Sequence, residues 1–323
     1  MKTYTLLRIT ILLSAALIVS VLHPALGYPR VPSPVTYAGA KVLGVRTHVV
    51  TVDLNDQSVA VSVALSGGGP RTTESFGSIV SRWKPAAAIT GTFFCTRSLT
   101  PVGDIIREGM RINSGAIGAS LGFTSDNKVM VAAGEKGKSV DWTGCDSGVR
   151  TGPLLLSCGK IVVNARREGF RDAGLFGRRV RAAIGVTSNN KLLLVAVKTP
   201  VTFTELAKVM LRLGAVNAIN LDGGSSTALS FGEKIVVRPG RRMTNVIVVG
   251  RRKPVPARVA VAGQAVKIEL PPTTPQEPAL HSSPDPKTTQ QSPGSTLQCP
   301  EQHALLPSRI GDDLCTLDDT RLF

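Results

Sequence analysis

The sequence predicts a strand-rich single domain of the α/β (mixed α+β) class, with a mixed sheet, several hairpins and at least one βαβ unit. Short apolar runs separated by Asn, Asp and Gly turns recur along the chain, which is typical of strands. One strongly amphipathic helical pattern lies between two of these runs. We expect the domain to span residues 37–250, after a short Pro-rich lead.

Pairs of apolar runs joined by short polar turns predict β-hairpins. The expected pairs are 45–54 with 59–65 around Asn55, 120–125 with 128–132 around Asp126, and 182–187 with 191–197 across Asn189. An additional apolar run at 86–94 predicts a buried strand.

A helix is predicted directly after the third hairpin. Thr202 and Glu205 fit a capping box, and Gly214 supplies the stop. One apolar face is formed by Leu206, Val209, Met210 and Leu213. A short strand then follows at 215–221. A crossover of this length over residues 191–221 implies two parallel strands with the helix packed on one face.

The N-terminal residues 1–27 are typical of a cleavable secretory signal. A positive start is followed by an uncharged run from Ile9 to Leu22 and by small residues at Ala25 and Gly27. The run is shorter than the roughly 20 residues that a spanning helix needs. We therefore expect a secreted or periplasmic (cell-envelope) protein with no transmembrane segment after cleavage, rather than an uncleaved anchor or a buried helix.

The C-terminal part has a different composition. Residues 251–298 are rich in Pro, Ser and Thr, which predicts a largely disordered linker, although 258–270 could add a strand. Residues 299–323 form a tail that a Cys299–Cys315 disulfide could staple.

Charge and cysteine usage limit the partners. The formal net charge is +16, which favours anionic partners such as surface polymers or phosphate-bearing substrates. Aromatic residues make up only 4%, which argues against a nucleic-acid partner. The five cysteines are an odd number, and Cys145–Cys158 is the favoured bridge in the domain. No Cys/His spacing typical of zinc is present.

The most informative segment follows the strand at 215–221. Asp222 stands at the carboxyl end of that strand, where ligands of α/β units bind. Gly223 and Gly224 allow close backbone approach and a small anion nest, and three hydroxyl residues follow. The same residues could form an ordinary turn and N-cap cluster. Neither a Walker A loop nor a nucleophile elbow is present.

Residues 218–227 resemble the signature of the phosphodiester glycosidase family, whose bacterial members include exopolysaccharide-related proteins. Further matching segments occur in the family's order over residues 40–250: Gly91–Phe94, Pro101–Gly103, Thr151–Leu155 with Gly159-Lys160, Arg181–Val186, and Arg242 with Asn245. The chain departs from the family pattern at Thr90, where Asn is usual, and at Ser225, where a third Gly often stands.

The resemblance implies an exported hydrolase that cleaves the glycosidic bond of sugar-1-phosphodiesters, releasing a sugar and a phosphomonoester. It assigns Asp222 as the catalytic carboxylate and Arg181 as the phosphate clamp. The expected substrate-binding residues are Thr90, Gly91, Gly223, Gly224, Ser226, Thr227, Arg242 and Asn245. The expected partner is a phosphate-linked carbohydrate, with an anionic cell-envelope polymer as a further candidate.

Several alternatives stay open at this point. Asp104 and Glu108 are candidates for a second carboxylate. No cofactor is certain, although Asp222 and Asn220 could help to hold Ca²⁺ or Mg²⁺. The departures at Thr90 and Ser225 motivate a different function, a binding module that keeps the pocket and has lost turnover.

Overall fold

The computed structural model describes residues 33–252, which form three β-sheets and three α-helices. The strands are β1 Val35–Val42, β2 Val45–Asp53, β3 Val59–Leu65, β4 Ala87–Thr90, β5 Gly103–Arg107, β6 Met110–Ala116, β7 Ala119–Phe123, β8 Val129–Ala132, β9 Ser147–Thr151, β10 Leu154–Ser157, β11 Lys160–Ile161, β12 Arg179–Thr187, β13 Lys191–Val201, β14 Ala215–Asn220, β15 Leu229–Phe231, β16 Lys234–Val237 and β17 Asn245–Arg251. The helices are α1 Phe76–Trp83, α2 Ala173–Phe176 and α3 Phe203–Arg212. The expected signal, linker, additional strand and stapled tail lie outside the described residues.

The strands are arranged in one large and two smaller sheets. The first sheet has the order β1-β2-β13-β12-β14-β10-β11, the second β16-β15-β4-β17-β3, and the third β6-β5-β9-β7-β8. Every strand pair within residues 33–252 is antiparallel, so the expected mixed sheet is wrong. The fold is strand-rich as predicted and is more β-dominated than a balanced α/β protein.

Two of the three expected hairpins are confirmed. β7 pairs with β8, and β12 pairs with β13, both antiparallel. The hairpin of β2 with β3 is wrong, because β2 lies between β1 and β13 in the first sheet whereas β3 pairs with β17 in the second. Buried residues of both strands belong to one core, so the chain crosses that core between facing sheets. Alternation of apolar residues cannot distinguish this crossing from a hairpin.

The strand–helix–strand unit is confirmed in a specific form. β12 pairs antiparallel with both β13 and β14, which makes these two strands parallel to each other with β12 between them. The capping box is complete, since Glu205 N donates to Thr202 Oγ1 at 3.2 Å and Thr202 N donates to Glu205 Oε2 at 2.8 Å. Gly214 follows the helix with a φ of +90°, which favours glycine.

Residues 33–252 contain four clusters of buried side chains, and the three larger ones hold the sheets and helices together. The largest cluster joins residues of all three sheets. A second lies between the first sheet and α3, and a third joins α1 to the second sheet. Residues 33–252 contain no helix long and apolar enough to cross a membrane.

The expected Cys145–Cys158 bridge is wrong. Cys145 is a buried free thiol that packs with Trp142 beside the third sheet, whereas Cys158 lies in the turn between β10 and β11 of the first sheet. Burial raises the pKa of the Cys145 thiol, as expected for a structural cysteine.

Candidate active site

The segment after β14 is anchored to two other strands before it reaches Asp222. Leu221 N donates to the carbonyl of Ala182 in β12 at 2.9 Å. Asp222 N donates to the carbonyl of Gly91, just beyond β4, at 3.0 Å. The backbone at Asp222 is thereby held by hydrogen bonds to the first sheet and to the segment just beyond β4 of the second sheet.

The two glycines after Asp222 shape the turn. A Cβ at Gly223 would lie 3.1 Å from the carbonyl oxygen of Val180, so the chain passes close to β12 there. Gly224 has a φ of +57° and begins a single 3₁₀ turn over Gly224–Ser226. The expected turn is present, and it places the Ser226 hydroxyl beside Asp222.

An arginine that the sequence did not single out completes the site. Arg241 Nη2 lies 3.0 Å from Asp222 Oδ2, and Arg241 Nε donates to Ser226 Oγ at 2.6 Å. The guanidinium also lies over the ring of Phe94, 4.5 Å from its centroid. Arg241, Asp222 and Ser226 therefore form one hydrogen-bonded group.

Burial raises the pKa of the Asp222 carboxyl, and Arg241, Ser226 and the backbone of Gly223 oppose that increase. A buried carboxyl whose pKa is shifted by desolvation and by a specific cation is typical of functional sites. The side chain of Asp222 is 5% exposed and that of Arg241 is 19% exposed, so a small ligand can reach both.

A cavity of about 420 Å³ opens in front of this pair. Its walls carry four arginines and two aspartates, with apolar surface between them: Arg178, Arg179, Arg181, Arg241, Asp172, Asp222, Phe93, Leu175 and Pro200. The remaining lining residues are small or apolar ones: Gly174, Val180, Gly223, Gly224 and Ser225. The cavity is therefore suited to a ligand with both an anionic and an uncharged part.

Arg181 also lines this cavity, and its guanidinium donates hydrogen bonds to backbone carbonyls. Its Nε donates to the Val201 carbonyl at 2.8 Å, and its Nη2 donates to Leu175 and Gly177, both at 2.7 Å. Burial lowers the pKa of Arg181 to about 10. Arg181 thus supports the wall formed by α2, and its role as phosphate clamp stays a prediction.

Gly91 and Asn245 act together beneath the Asp222 loop. Asn245 Oδ1 accepts a hydrogen bond from Thr92 N at 2.9 Å, and a Cβ at Gly91 would lie 1.9 Å from that same oxygen. Thr90 is buried in β4 and donates its N–H to Ala228 at 3.2 Å. The structure places these residues behind the loop rather than among the cavity-lining residues, so their support of Asp222 is indirect.

Arg242 points away from the site. Its Nη2 donates to the carbonyl of Thr73 at 2.8 Å, and its side chain is exposed. Arg241 therefore faces Asp222, whereas its neighbour Arg242 does not. Thr227 is buried, and its Oγ1 has no hydrogen-bond partner in the described part of the chain.

The two candidates for a second carboxylate lie elsewhere. Asp104 accepts hydrogen bonds from Gly115 N at 3.0 Å and from Trp142 Nε1 at 2.8 Å, which stabilises the third sheet. Glu108 occupies the turn between β5 and β6 with a φ of +55°. The second carboxylate that lines the cavity is Asp172, which caps α2 by accepting a hydrogen bond from Gly174 N.

Metal binding at Asn220 and Asp222 stays a prediction. Asn220 Nδ2 donates to the carbonyls of Gly152 and Leu221, at 3.0 and 2.6 Å. Residues 33–252 contain no group of three or more His, Cys, Asp or Glu side chains that could hold a metal ion.

Glu168 is a buried acid that sequence patterns did not reveal. Leu154 N donates to its carboxylate at 3.0 and 3.2 Å, and burial raises the pKa of Glu168 from 4.5 to about 7 despite the nearby Arg150. It lies beside Gly152, whose carbonyl binds Asn220, so it supports the strand that leads to Asp222.

We expect Glu168 to make the folded protein less stable as the pH rises. The folded state binds this proton more tightly than the unfolded chain, so the stabilisation is complete below about pH 4.5 and is lost as the pH passes about 7. The loss amounts to about 3 kcal/mol. The free energy of unfolding, measured with denaturant at pH 5 and at pH 8, should fall between these two pH values in the wild type and should fall less in Glu168→Gln. An equal fall in both proteins would contradict the assignment.

Arg241→Gln is expected to lower turnover of a sugar-1-phosphodiester by about 100-fold or more. The variant loses the cation at Asp222, so the activity limb governed by that carboxyl should also shift to higher pH. Arg242→Gln is the matched control, since its guanidinium contacts Thr73 instead, and its activity should stay within a few-fold of wild type. A larger loss of turnover in Arg242→Gln than in Arg241→Gln would contradict the placement of Arg241 beside Asp222.

Taken together, an antiparallel β-fold holds a buried carboxylate–guanidinium pair at the wall of a cavity rich in arginine. The chain belongs to the phosphodiester glycosidase family, whose sequence profile matches residues 84–250. The match includes Asp222, Ser226 and Arg241.

Solved structures share this fold. A hypothetical protein from Synechocystis aligns with a TM-score of 0.60 and 18% identity, over 68% of this chain and 62% of that protein. The catalytic domain of zebrafish N-acetylglucosamine-1-phosphodiester alpha-N-acetylglucosaminidase, auto-inhibited by its pro-peptide, aligns with a TM-score of 0.56 and 21% identity, over 70% of this chain and 86% of that domain. The chain thus spans less than two thirds of the Synechocystis protein. Comparison with curated proteins finds no match.

Proposed function

We propose that this protein is an exported hydrolase that cleaves the glycosidic bond of sugar-1-phosphodiesters. The observation that carries the proposal is the Asp222–Arg241 pair, which lies at the wall of a basic cavity within the part of the chain that matches the family. The similar zebrafish catalytic domain acts on a sugar-1-phosphodiester according to its name, which supports the same substrate class here.

The chemistry of such a substrate suits this site. A phosphomonoester leaving group is a weak base, so it needs less protonation than the alkoxide of an ordinary glycoside. Two tasks remain, namely to stabilise positive charge on the sugar and to hold the phosphate. Asp222 serves the first task as a base toward water or as a nucleophile. Arg241 serves the second through charge-assisted hydrogen bonds.

Substrate binding and activation of the carboxylate are linked in this arrangement. An incoming phosphate competes with Asp222 for the Arg241 guanidinium, whose Nη2 lies 3.0 Å from Asp222 Oδ2. Release of Asp222 toward the sugar then accompanies phosphate binding. Ser226, which contacts both groups, stays available to orient the carboxylate.

Export is part of the proposal and rests on the signal-like residues 1–27. A substrate outside the cytoplasm would be a phosphate-linked sugar on a surface polymer or glycan. Localisation of the full-length chain and of a version lacking residues 1–27 tests this part separately from the chemistry.

The reaction is tested by hydrolysis in H₂¹⁸O of a synthetic sugar-1-phosphodiester. Cleavage of the glycosidic bond places ¹⁸O in the released sugar, and mass spectrometry should find the phosphomonoester unlabelled. Label in the phosphate would identify a phosphodiesterase and overturn the proposal. Affinity for the substrate without turnover would instead identify the alternative, a binding module that keeps the pocket.

A further inference from the structure

Three cations stand side by side on neighbouring strands at one edge of the first sheet. Lys41 of β1 is the register partner of Arg46 of β2. Thr47 of β2 pairs with Val197 of β13. Because the two strands are antiparallel, the next residue of β13, Lys198, lies beside Arg46. Lys41, Arg46 and Lys198, called the cationic row below, are exposed and line one cavity of about 650 Å³.

Within residues 33–252, the cationic row has no neutralising acid. The other residues of its cavity are small or neutral polar ones: Gly39, Ala40, Gly44, Thr47, His48 and Thr199. Among residues 33–252, none of the three cations forms an ion pair with a carboxylate. After burial, Lys198 and Arg46 are the groups that lower the pKa of His48, which reflects a positive local potential. Like charges on facing strand positions destabilise a sheet, so this arrangement favours a bound anion.

A bulge in β13 joins the row to the Asp222 cavity. Arg181 pairs with Val197 and Arg179 pairs with Val201, so three residues of β13, at 198–200, face a single residue of β12. Bulges redirect side chains and are frequent next to active sites. Lys198 lines the cationic cavity, and Pro200, two residues further on, lines the Asp222 cavity. Two extended residues span about 7 Å.

We propose that the cationic row is a second anion-binding subsite, which holds a further phosphate of a polyanionic glycan whose terminal sugar-phosphodiester occupies the Asp222 cavity. The inference rests on the proposed function and narrows its substrate class from any sugar-1-phosphodiester to chains with repeated phosphate groups. Lys198 and Pro200 line one cavity each and are two residues apart on β13, so the two cavities adjoin, as the binding of neighbouring phosphates of one chain requires.

The test compares the row variant Lys41→Gln/Arg46→Gln/Lys198→Gln with the matched control Lys128→Gln/Lys160→Gln/Lys208→Gln. The control removes the same charge from exposed positions in the β7–β8 turn, on the far edge of the first sheet and on α3. Substrates are a monomeric sugar-1-phosphodiester and a synthetic oligomer of several phosphodiester-linked sugars. The ratio of kcat/KM for oligomer over monomer should fall about 10-fold or more in the row variant. The ratio should be unchanged in the control.

Direct binding separates this inference from the proposed function. Affinity of the labelled oligomer for Asp222→Asn protein should fall about 10-fold when the row is also neutralised, with a weaker salt dependence. If the wild type hydrolyses neither substrate, the proposed function is wrong, whereas the affinity measurement still tests whether the cationic row binds the oligomer. An unchanged ratio together with unchanged affinity overturns the subsite. Equal row-dependent binding of a DNA oligonucleotide or of phosphatidylglycerol vesicles overturns its assignment to a glycan.

Discussion

The Asp222→Asn variant is expected to fold normally and to lose turnover of a sugar-1-phosphodiester by about 1,000-fold or more. The Asp222 side chain is 5% exposed and contacts Arg241. Among residues 33–252, no other carboxylate binds that guanidinium. Burial already favours the uncharged form of this carboxyl, so a neutral amide of the same shape fits with little loss of stability. Steady-state kinetics and thermal unfolding of the purified variant measure the two effects.

Asp172→Asn is the matched control for this prediction. Asp172 lines the same cavity, but its carboxylate accepts a hydrogen bond from Gly174 N at 2.7 Å and caps α2. We expect Asp172→Asn to retain most of the activity. Loss of turnover in Asp172→Asn with activity retained in Asp222→Asn would transfer the catalytic assignment to Asp172.

Gly91→Ala is expected to reduce the free energy of unfolding by about 3 kcal/mol and turnover by about 100-fold. An added Cβ would lie 1.9 Å from Asn245 Oδ1 and 2.9 Å from the Asn245 carbonyl oxygen. Asn245 is buried and holds Thr92 N, so it cannot move aside without breaking that bond. The carbonyl of Gly91 also accepts the hydrogen bond from Asp222 N, so a shift at Gly91 displaces the catalytic loop.

Gly250→Ala tests whether this effect is specific. Gly250 lies in β17, the strand that begins with Asn245, and a Cβ there would meet no atom within 4 Å. Its unfolding free energy and turnover should stay close to wild type. Equal behaviour of the two variants in denaturant unfolding and kinetics would contradict the role of Gly91 in holding the Asp222 loop.

Local patterns were sufficient where neighbours along the chain determine the structure. The capping box of Thr202 and Glu205 uses atoms three residues apart, so the start of α3 was predictable. The turn after Asp222 was also predictable, because Gly224 adopts a φ of +57°, a local conformation that favours glycine. The family was recognisable for the same reason, since residues 218–227 carry its signature in one continuous segment.

Contacts between distant segments were not predictable in the same way. Arg241 and Arg242 are equivalent as sequence neighbours, and only the direction of the chain at the end of the β16–β17 connection decides which one reaches Asp222. The same holds for Glu168, whose shifted pKa depends on burial beside Leu154 and Gly152. The contact of Arg241 and the pKa of Glu168 both depend on packing between elements that are distant in sequence, which a short-range sequence pattern does not record.

The sequence by itself determined that the chain is strand-rich, that one helix follows β13, and that Asp222 stands in a glycine-rich turn after a strand. Tertiary structure alone decided that β2 and β3 separate into facing sheets, that Arg241 pairs with Asp222, and that three cations align across β1, β2 and β13. The physical reason is that hydrogen-bond partners of strands and partners of buried charges are chosen by burial and register over the whole chain, whereas caps and turns are chosen by adjacent residues.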